Sequence, residues 1–479
     1  MYMLEIITNI LLVMSLGWYL ITNLQWYNYK IERVILKHHK VRWHITYFVT
    51  PIVLYYLLEP LYYAIYFYPL YLTTFYLWNK KLDKPLVMTS RVKRFLAILL
   101  FLSFAMNTLC LAAITCNGVG LIVTLTLAYG ISMILEKIFF LTYKDQAKKK
   151  LQNMQDLKII AITASFGKTS IKNYLYQVLY KRYTTYMTPR SVNTIAGLVL
   201  DVNRDLPKNT QIYIAEAGAR AKGDIAEITH FLQPQYAIIG SVGEQHIEYF
   251  KTLDNIIHTK MELLQSPRLQ KGFVHSSVPI LDYDTIVKFP SNLQITMSNL
   301  DGIWFDIDIN GTTEHFHAPI LGSFNAINLT AVILCAHELG MSIEDIKIAI
   351  NDIKPVAHRL QKIEAGGKII LDDSFNGNLE GMLEAVKISS THMGKKVIVT
   401  PGIVESTQEA NIQLIQAIDA VFDLVIVTGS LNADLFKATL TGNKMIYLDN
   451  KAAQLEQVLA QKTSAGDLIL FANDAPNFI

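Results

Sequence analysis

Apolar residues crowd the first third of the chain in runs too long for a soluble core, then thin into short strand-like stretches. Leu4 to Leu24 is apolar apart from Glu5 and a few small polar residues, and Ile45 to Trp78 is 34 residues with one charge, Glu59, followed by Pro60. Phe95 to Thr115 and Leu121 to Leu141 complete the set. About 20 apolar residues span a bilayer as a helix, so the pattern predicts an all-α, membrane-spanning region over 1–143. Its helices fall at about 4–24, 95–115 and 121–141. A removable signal peptide is not expected, because the start is not basic and the apolar runs keep recurring.

The polar stretches orient these runs. Tyr29 to His44 carries Lys30, Arg33, Lys37, Lys40 and Arg42, and Asn79 to Arg94 carries Lys80, Lys81, Lys84, Arg91, Lys93 and Arg94. Four lysines follow between Lys144 and Lys150. Basic loops stay in the cytoplasm, which makes 45–78 a hairpin turning near Glu59-Pro60; one long tilted helix is the alternative. The Tyr-rich run LYYAIYFYPLYL reads as membrane-facing or interfacial aromatics. The expected location is a bacterial inner membrane, multi-pass, with everything beyond Leu151 in the cytoplasm and membrane lipid as a partner.

Beyond Leu151 the texture becomes α/β. LKIIAIT, QIYIAEAG, YAIIGSV, GKIILDDS, KKVIVTPG, FDLVIVTG, NKMIYLD and DLILFAND alternate with helical patterns, as parallel sheets with crossover helices do. A helical stretch ends near Lys354-Pro355. The expected organisation is a P-loop central domain over 151–355 and a smaller, Rossmann-like domain over 356–479. Composition narrows the rest. A net charge of +3 over 479 residues gives no reason to expect nucleic acid. Three cysteines cannot build a disulfide framework or a zinc ribbon.

Candidate chemistry begins at ITASFGKTSIKNYL. A strand, Gly167-Lys168-Thr169 and a helix in that order place a phosphate-binding loop at a strand's carboxyl end and a helix's amino end. Gly167 lets amides approach phosphate, Lys168 offsets its charge, and the Thr169 hydroxyl can ligate Mg²⁺. The early glycine of the general motif is missing, since Ile162 stands there. Glu216 ends a strand beside this loop, where a carboxylate can hold Mg²⁺. Asn325 and Asn328 share a helix face.

These blocks, with YIAEAGARAKGDIAEITHFLQPQYAIIGSVGEQHIEYF, LGSFNAINLTAVILCAHELG and HRLQKIEAGGKIILDDSFNGNLEGM, resemble the Mur ligase family, ATP-dependent amide-forming enzymes of peptidoglycan synthesis. The family's loop is shorter than the general one, and TASFGKTS matches it except at Ala164. Phe324 replaces a histidine, Phe375 a tyrosine, and Leu379 stands where a proline is usual. The last block is most similar to the D-alanyl-D-alanine-adding branch. The resemblance covers roughly 151–479; residues 1–150 replace the domain that in most members holds uridine diphosphate.

The resemblance implies ATP contacts from Thr163, Ser165, Gly167, Lys168, Thr169, Ser170, Asn325, Asn328, Arg359 and Asp373. It implies two Mg²⁺ ions held by Thr169, Glu216, His246 and Lys260. Lys260 follows His246 by fourteen residues and in the family is usually carbamylated; Lys168, Lys260 and His246 would be the catalytic set. Thr188, Asn193, Thr194, Asn376 and Asn378 resemble substrate contacts, while Asp372 and Glu262 read as structural. The implied reaction activates a peptide carboxylate of UDP-muramoyl-peptide as an acyl phosphate and joins it to D-alanyl-D-alanine. The rivals are a membrane-bound poly-γ-glutamate-type synthetase, another Mur-like ligase acting on a lipid-linked precursor, and a non-enzymatic nucleotide-binding scaffold.

Overall fold

Helix Tyr2–Trp26 runs through the centre of a helical unit, with Leu12, Val13, Leu16 and Tyr19 buried. Helix Ser90–Ala113 crosses it at Gly17, where a Cβ would stand 2.0 Å from Leu99 Cδ2. Any larger residue there would push the two helices apart. The computed structural model describes residues 2–473 apart from 28, 37–39, 83, 114–119, 191, 244–246, 281–283, 376 and 405. The chain divides into two units, Met1–Lys144 and Asp145–Ile479. Among the described residues three helices are long and apolar enough to cross a membrane: Met3–Trp26, Ser90–Leu109 and Gly120–Asn153. The last runs past the apolar stretch because Lys, Gln, Ala and Leu, good helix formers, continue it.

The 45–78 run folds back on itself. Leu58 and Glu59 are extended, and helices Thr50–Leu57 and Pro60–Tyr66 lie on either side. Pro51 has no N–H for the carbonyl of Tyr47, and Tyr71 Oη donates to that oxygen instead at 3.1 Å. Tyr63 Oη donates to Pro51 O at 3.2 Å. In an apolar surrounding every freed backbone group needs such a partner. The tyrosine run, expected to be membrane-facing or interfacial, instead divides between two faces. Tyr63, Phe67 and Tyr71 are buried, and with Phe75 and Trp78 they stack along one face at centroid spacings of 5.7, 5.4, 5.7 and 5.2 Å. Tyr62, Ile65 and Leu70 face outward.

The second unit holds three sheets. The first contains β1 (Lys158–Thr163), β2 (Thr185–Met187), β3 (Ile212–Glu216), β4 (Tyr236–Ile239), β5 (Lys271–His275) and β6 (Ile286–Phe289). They are parallel throughout, in the order β2-β3-β1-β4-β5-β6. β3 and β4 are buried along their whole length and β1 apart from Lys158, so they read as continuous apolar runs. An antiparallel meander follows, β7 (Gln294–Asn299), β8 (Gly302–Ile309) and β9 (Thr312–Ala318).

The third sheet holds β10 (Gln361–Ala365), β11 (Lys368–Asp373), β12 (Lys396–Thr400), β13 (Leu424–Thr428), β14 (Met445–Leu448) and β15 (Leu468–Ala472). Its order is β10-β11-β15-β12-β13-β14, with only β10 antiparallel. In the first sheet the order reverses at β1, whose neighbours are β3 and β4. Ligands of parallel sheets bind outside the strand carboxyl ends at such a point.

Candidate functional site

The loop Ala164–Gly167 leaves β1 at this switch point and enters helix Lys168–Leu179, whose apolar face buries Ile171, Tyr174, Leu175 and Val178. Gly167 adopts φ +82°, open to glycine at no steric cost. A Cβ there would also lie 2.6 Å from Asn328 Oδ1, so glycine is needed twice over. Ser165 Oγ donates to Gly243 O at 3.0 Å, tying the loop to the segment after β4. Lys168 Nζ curls back to donate to Ala164 O (2.5 Å) and Ser165 O (3.1 Å). Burial lowers its pKa to about 8, with Glu216 opposing and Arg359 adding to the shift. Thr163 Oγ1 is buried without a hydrogen-bond partner among the described residues, and Ser170 is buried.

Glu216, at the end of β3, is the centre of the cluster. Thr169 Oγ1 donates to Oε2 at 3.2 Å and Asn193 Nδ2 to Oε1 at 3.3 Å. Thr188, fully buried, accepts the backbone N–H of Glu216 at 3.3 Å. Lys172, which the sequence reading did not single out, places Nζ 3.2 Å from Glu216 Oε2 and donates to Arg190 O, with both charged groups almost wholly buried. Its signal was its offset: four residues after Lys168, it lies one turn on along the same helix face.

Lys260, on helix Leu253–Met261, is 4% exposed and has no hydrogen bond or ion pair among the described residues. Burial first, and the Lys168 cation second, push its pKa down to about 7 against the pull of Glu216. Glu262 accepts from Gly223 N and Ala226 N at 2.9 Å each, holding the start of helix Asp224–Leu232.

In the linker that leads into β10, Arg359 donates to Phe375 O at 2.8 Å and lies over the Phe375 ring. Burial lowers its pKa while Asp373 and Glu216 raise it. Asp373 accepts from Leu360 N at 3.1 Å, and burial raises its pKa to about 7 against the pull of Arg359. Of the cations Lys168, Lys172, Lys260 and Arg359, Lys172 alone makes an ion pair with Glu216 among the described residues.

Not every expected contact belongs to this cluster. Asn325 is 1% exposed and spends its amide on Leu321 O (2.7 Å) and on Asn328 Nδ2 (3.2 Å), a structural task; Asn328 alone of the pair faces the loop. Thr194 and Asn378 are helix caps, accepting from Gly197 N and Gly381 N, so their side-chain oxygens are committed. His246 and Asn376 lie outside the described residues.

Among the described residues no group of three or more His, Cys, Asp or Glu side chains gathers. Glu216 with Thr169 nevertheless fits Mg²⁺, which is bound by one or two protein oxygens plus substrate phosphates and water. With the lysines alongside, the donor set matches a cation carried on a polyphosphate rather than a metal held by protein alone.

Replacing Lys172 with Met should cost about 3 kcal/mol, because it leaves Glu216 buried without its ion-pair partner. Melting temperature and ATP turnover, measured on the same preparation, should both fall. An unchanged melting point would show that Glu216 does not depend on this lysine.

Residues 162–336 match the family model described as the Mur ligase middle domain. The chain is 28% identical over 349 residues to UDP-N-acetylmuramoyl-tripeptide--D-alanyl-D-alanine ligase of Bacillus subtilis, a match covering 68% of this chain and 74% of that one. The Escherichia coli protein of the same name is 23% identical over 331 residues, covering 64% and 72%. Among solved structures, MurF ligase from Thermotoga maritima in complex with ADP aligns with TM-score 0.60 and 22% identity, covering 70% of this chain and 80% of that one. UDP-N-acetylmuramoylalanyl-D-glutamyl-2,6-diaminopimelate--D-alanyl-D-alanyl ligase from Acinetobacter baumannii aligns with TM-score 0.62 and 24% identity, covering 70% and 76%. The sequence blocks, the strand order around the phosphate loop and these likenesses agree: residues 162–336 match a Mur ligase middle domain, and over 68% of its length the chain is similar to a ligase that adds D-alanyl-D-alanine.

Proposed function

We propose that the protein is a membrane-anchored, ATP-dependent carboxylate-amine ligase that joins D-alanyl-D-alanine to UDP-N-acetylmuramoyl-tripeptide. The observation that carries this reading is the group of cations at the phosphate loop: Lys168 heads the loop helix, and Lys172, one turn on, pairs at 3.2 Å with the buried Glu216 that Thr169 also contacts. That density of cations suits a polyphosphate and the charge that develops as it is cleaved. Curated relatives bearing the D-alanyl-D-alanine ligase name narrow the acceptor.

In this reading the substrate carboxylate attacks the γ-phosphorus of ATP, ADP leaves, and an acyl phosphate forms. The amine of D-alanyl-D-alanine then attacks the acyl carbon, and phosphate departs with its bonding pair as the amide forms. Lys168 follows the phosphoryl charge. Arg359 from the linker and Asp373 from the third sheet grip phosphate and ribose and keep water from the acyl phosphate. Mg²⁺, held by Glu216 and Thr169 together with phosphate oxygens, supplies further charge neutralisation when bound. Asn193, bonded to the Glu216 carboxylate, stands at the approach to the site and orients the sugar-peptide substrate. Thr188, expected as a second substrate contact, is fully buried and holds the Glu216 backbone. The neutral Lys260 amine is suited to carbamylation, which would convert a buried cation into an anionic metal support.

The test is phosphate release by the purified full chain with ATP, UDP-N-acetylmuramoyl-tripeptide and D-alanyl-D-alanine. Release should require both substrates. Release with glutamate in place of the dipeptide, or none with either, would sink the reading.

The first unit serves as a multi-pass anchor with the ligase domains in the cytoplasm. Three helices of spanning length and the fold-back at Leu58-Glu59 support this. In a chain stripped of native cysteines, Glu59→Cys should react with an impermeant thiol reagent from outside and Lys84→Cys should not. Labelling at position 84 from outside overturns the topology.

A further inference from the structure

Arg359 lies in a short linker with an unusual backbone. The residues on both sides of it hold positive φ, His358 at +62° and Leu360 at +49°. Neither is glycine, so the conformation persists only if its surroundings impose it.

The surroundings do so through two adjacent carboxylates of β11. Asp373 accepts the N–H of Leu360 at 3.1 Å, and Asp372 accepts Nδ1 of His358 at 2.7 Å. Asp372 is fully buried, and its other oxygen takes the Ser374 hydroxyl at 2.5 Å and the Ser374 N–H at 3.2 Å. A carboxylate only accepts, so Nδ1 of His358 carries the proton. At its other end the linker is fastened to the phosphate-loop helix. Gln177 accepts from Lys354 N at 2.8 Å and donates to Lys354 O at 3.1 Å.

We propose that His358 and Asp372 form a clasp that positions Arg359 for the transferring phosphate. His358 does not reach the reacting atoms; it is a positioning residue that acts through the linker backbone. With Gln177 holding one end of the linker and the Asp372–Asp373 pair the other, Arg359 is carried at a defined distance from the phosphate loop. The inference rests on the ATP-contacting role proposed for Arg359.

Two substitutions separate the hydrogen bond from the backbone conformation. His358→Asn keeps a donor near Nδ1 and tolerates positive φ; His358→Gly tolerates positive φ but has no donor. In the full chain, His358→Asn should retain kcat within about threefold, and His358→Gly should lose about tenfold or more. ADP affinity should stay near wild type in both, because the phosphate loop is untouched. His358→Gly also takes a partner from buried Asp372, so its melting temperature should fall, and turnover is measured well below it. Arg359→Ala is measured alongside. If it is inactive while His358→Gly turns over normally, the clasp is wrong. If His358→Asn fails as badly as His358→Gly, or if ADP affinity falls with kcat, the clasp is also wrong, since the effect is then not one of positioning a donor. If Arg359→Ala itself is fully active, the role of Arg359 fails first.

Discussion

Lys168→Ala should abolish ATP-dependent ligation while leaving a folded protein. The side chain sits at the first position of the phosphate-loop helix, where backbone N–H groups already favour an anion. Its ammonium is held by two carbonyls of its own loop, Ala164 and Ser165, and is ready to exchange them for phosphate oxygens. A pKa lowered to about 8 still leaves it mostly protonated near neutrality, and phosphate raises it further. Losing this charge at the transferring group should cost roughly 3 kcal/mol or more, over a hundredfold in kcat. The fold should survive, because the helix is held by Ile171, Tyr174, Leu175 and Val178 on its buried face. The check is phosphate release set beside the melting curve of the same preparation. Near-wild-type turnover would remove the ATP site from this loop.

Lys260→Ala should be nearly as damaging, and for a different reason. A buried amine with a pKa of about 7 is substantially neutral at cytoplasmic pH and so can add to carbon dioxide. The nitrogen–carbon bond forms, the nitrogen's proton passes to solvent, and an anionic carbamate remains. Removal should lower kcat by about a hundredfold, and bicarbonate should not rescue it, whereas a short carboxylic acid should do so in part. Wild-type activity should fall as pH drops through about 7, because the protonated amine cannot add carbon dioxide.

The same lysine also affects stability. Its pKa is lower in the folded chain than the ordinary 10.5, so the unfolded chain binds more protons between the two values and stability rises with pH across that window. In bicarbonate-free buffer Lys260→Met should therefore raise the melting temperature, more at pH 7 than at pH 9. Full activity in Lys260→Ala would make it an ordinary buried lysine.

What was readable in the chain was local. The strand, GKT and helix that form the phosphate loop are contiguous, so periodicity and turn chemistry specify them without distant partners. Five strands of the third sheet announced themselves as apolar runs, because strands covered on both faces need no polar alternation. The meander β7–β9 was missed although β8 carries a signal of its own: Ile303, Phe305, Ile307 and Ile309 are buried and alternate with half-buried Trp304, Asp306 and Asp308, the period of a strand covered on one face. The short β2 offered too few residues to show a period.

The sequence by itself determined where the chain enters apolar surroundings, where the phosphate loop stands, and which acidic residue ends the neighbouring strand. Only the tertiary structure decided what those groups meet. Lys172 became the buried partner of Glu216 because β3 lies beside β1, a pairing between residues 44 apart. Asn325 and Asn328, alike in sequence, took different tasks because one faces Leu321 O and the other Gly167. His358 reached Asp372 only because β10 turns back antiparallel onto β11 and brings the linker over it. Periodicity and turn preference act over a few residues, whereas burial, charge pairing and pKa depend on neighbours that folding brings from far along the chain.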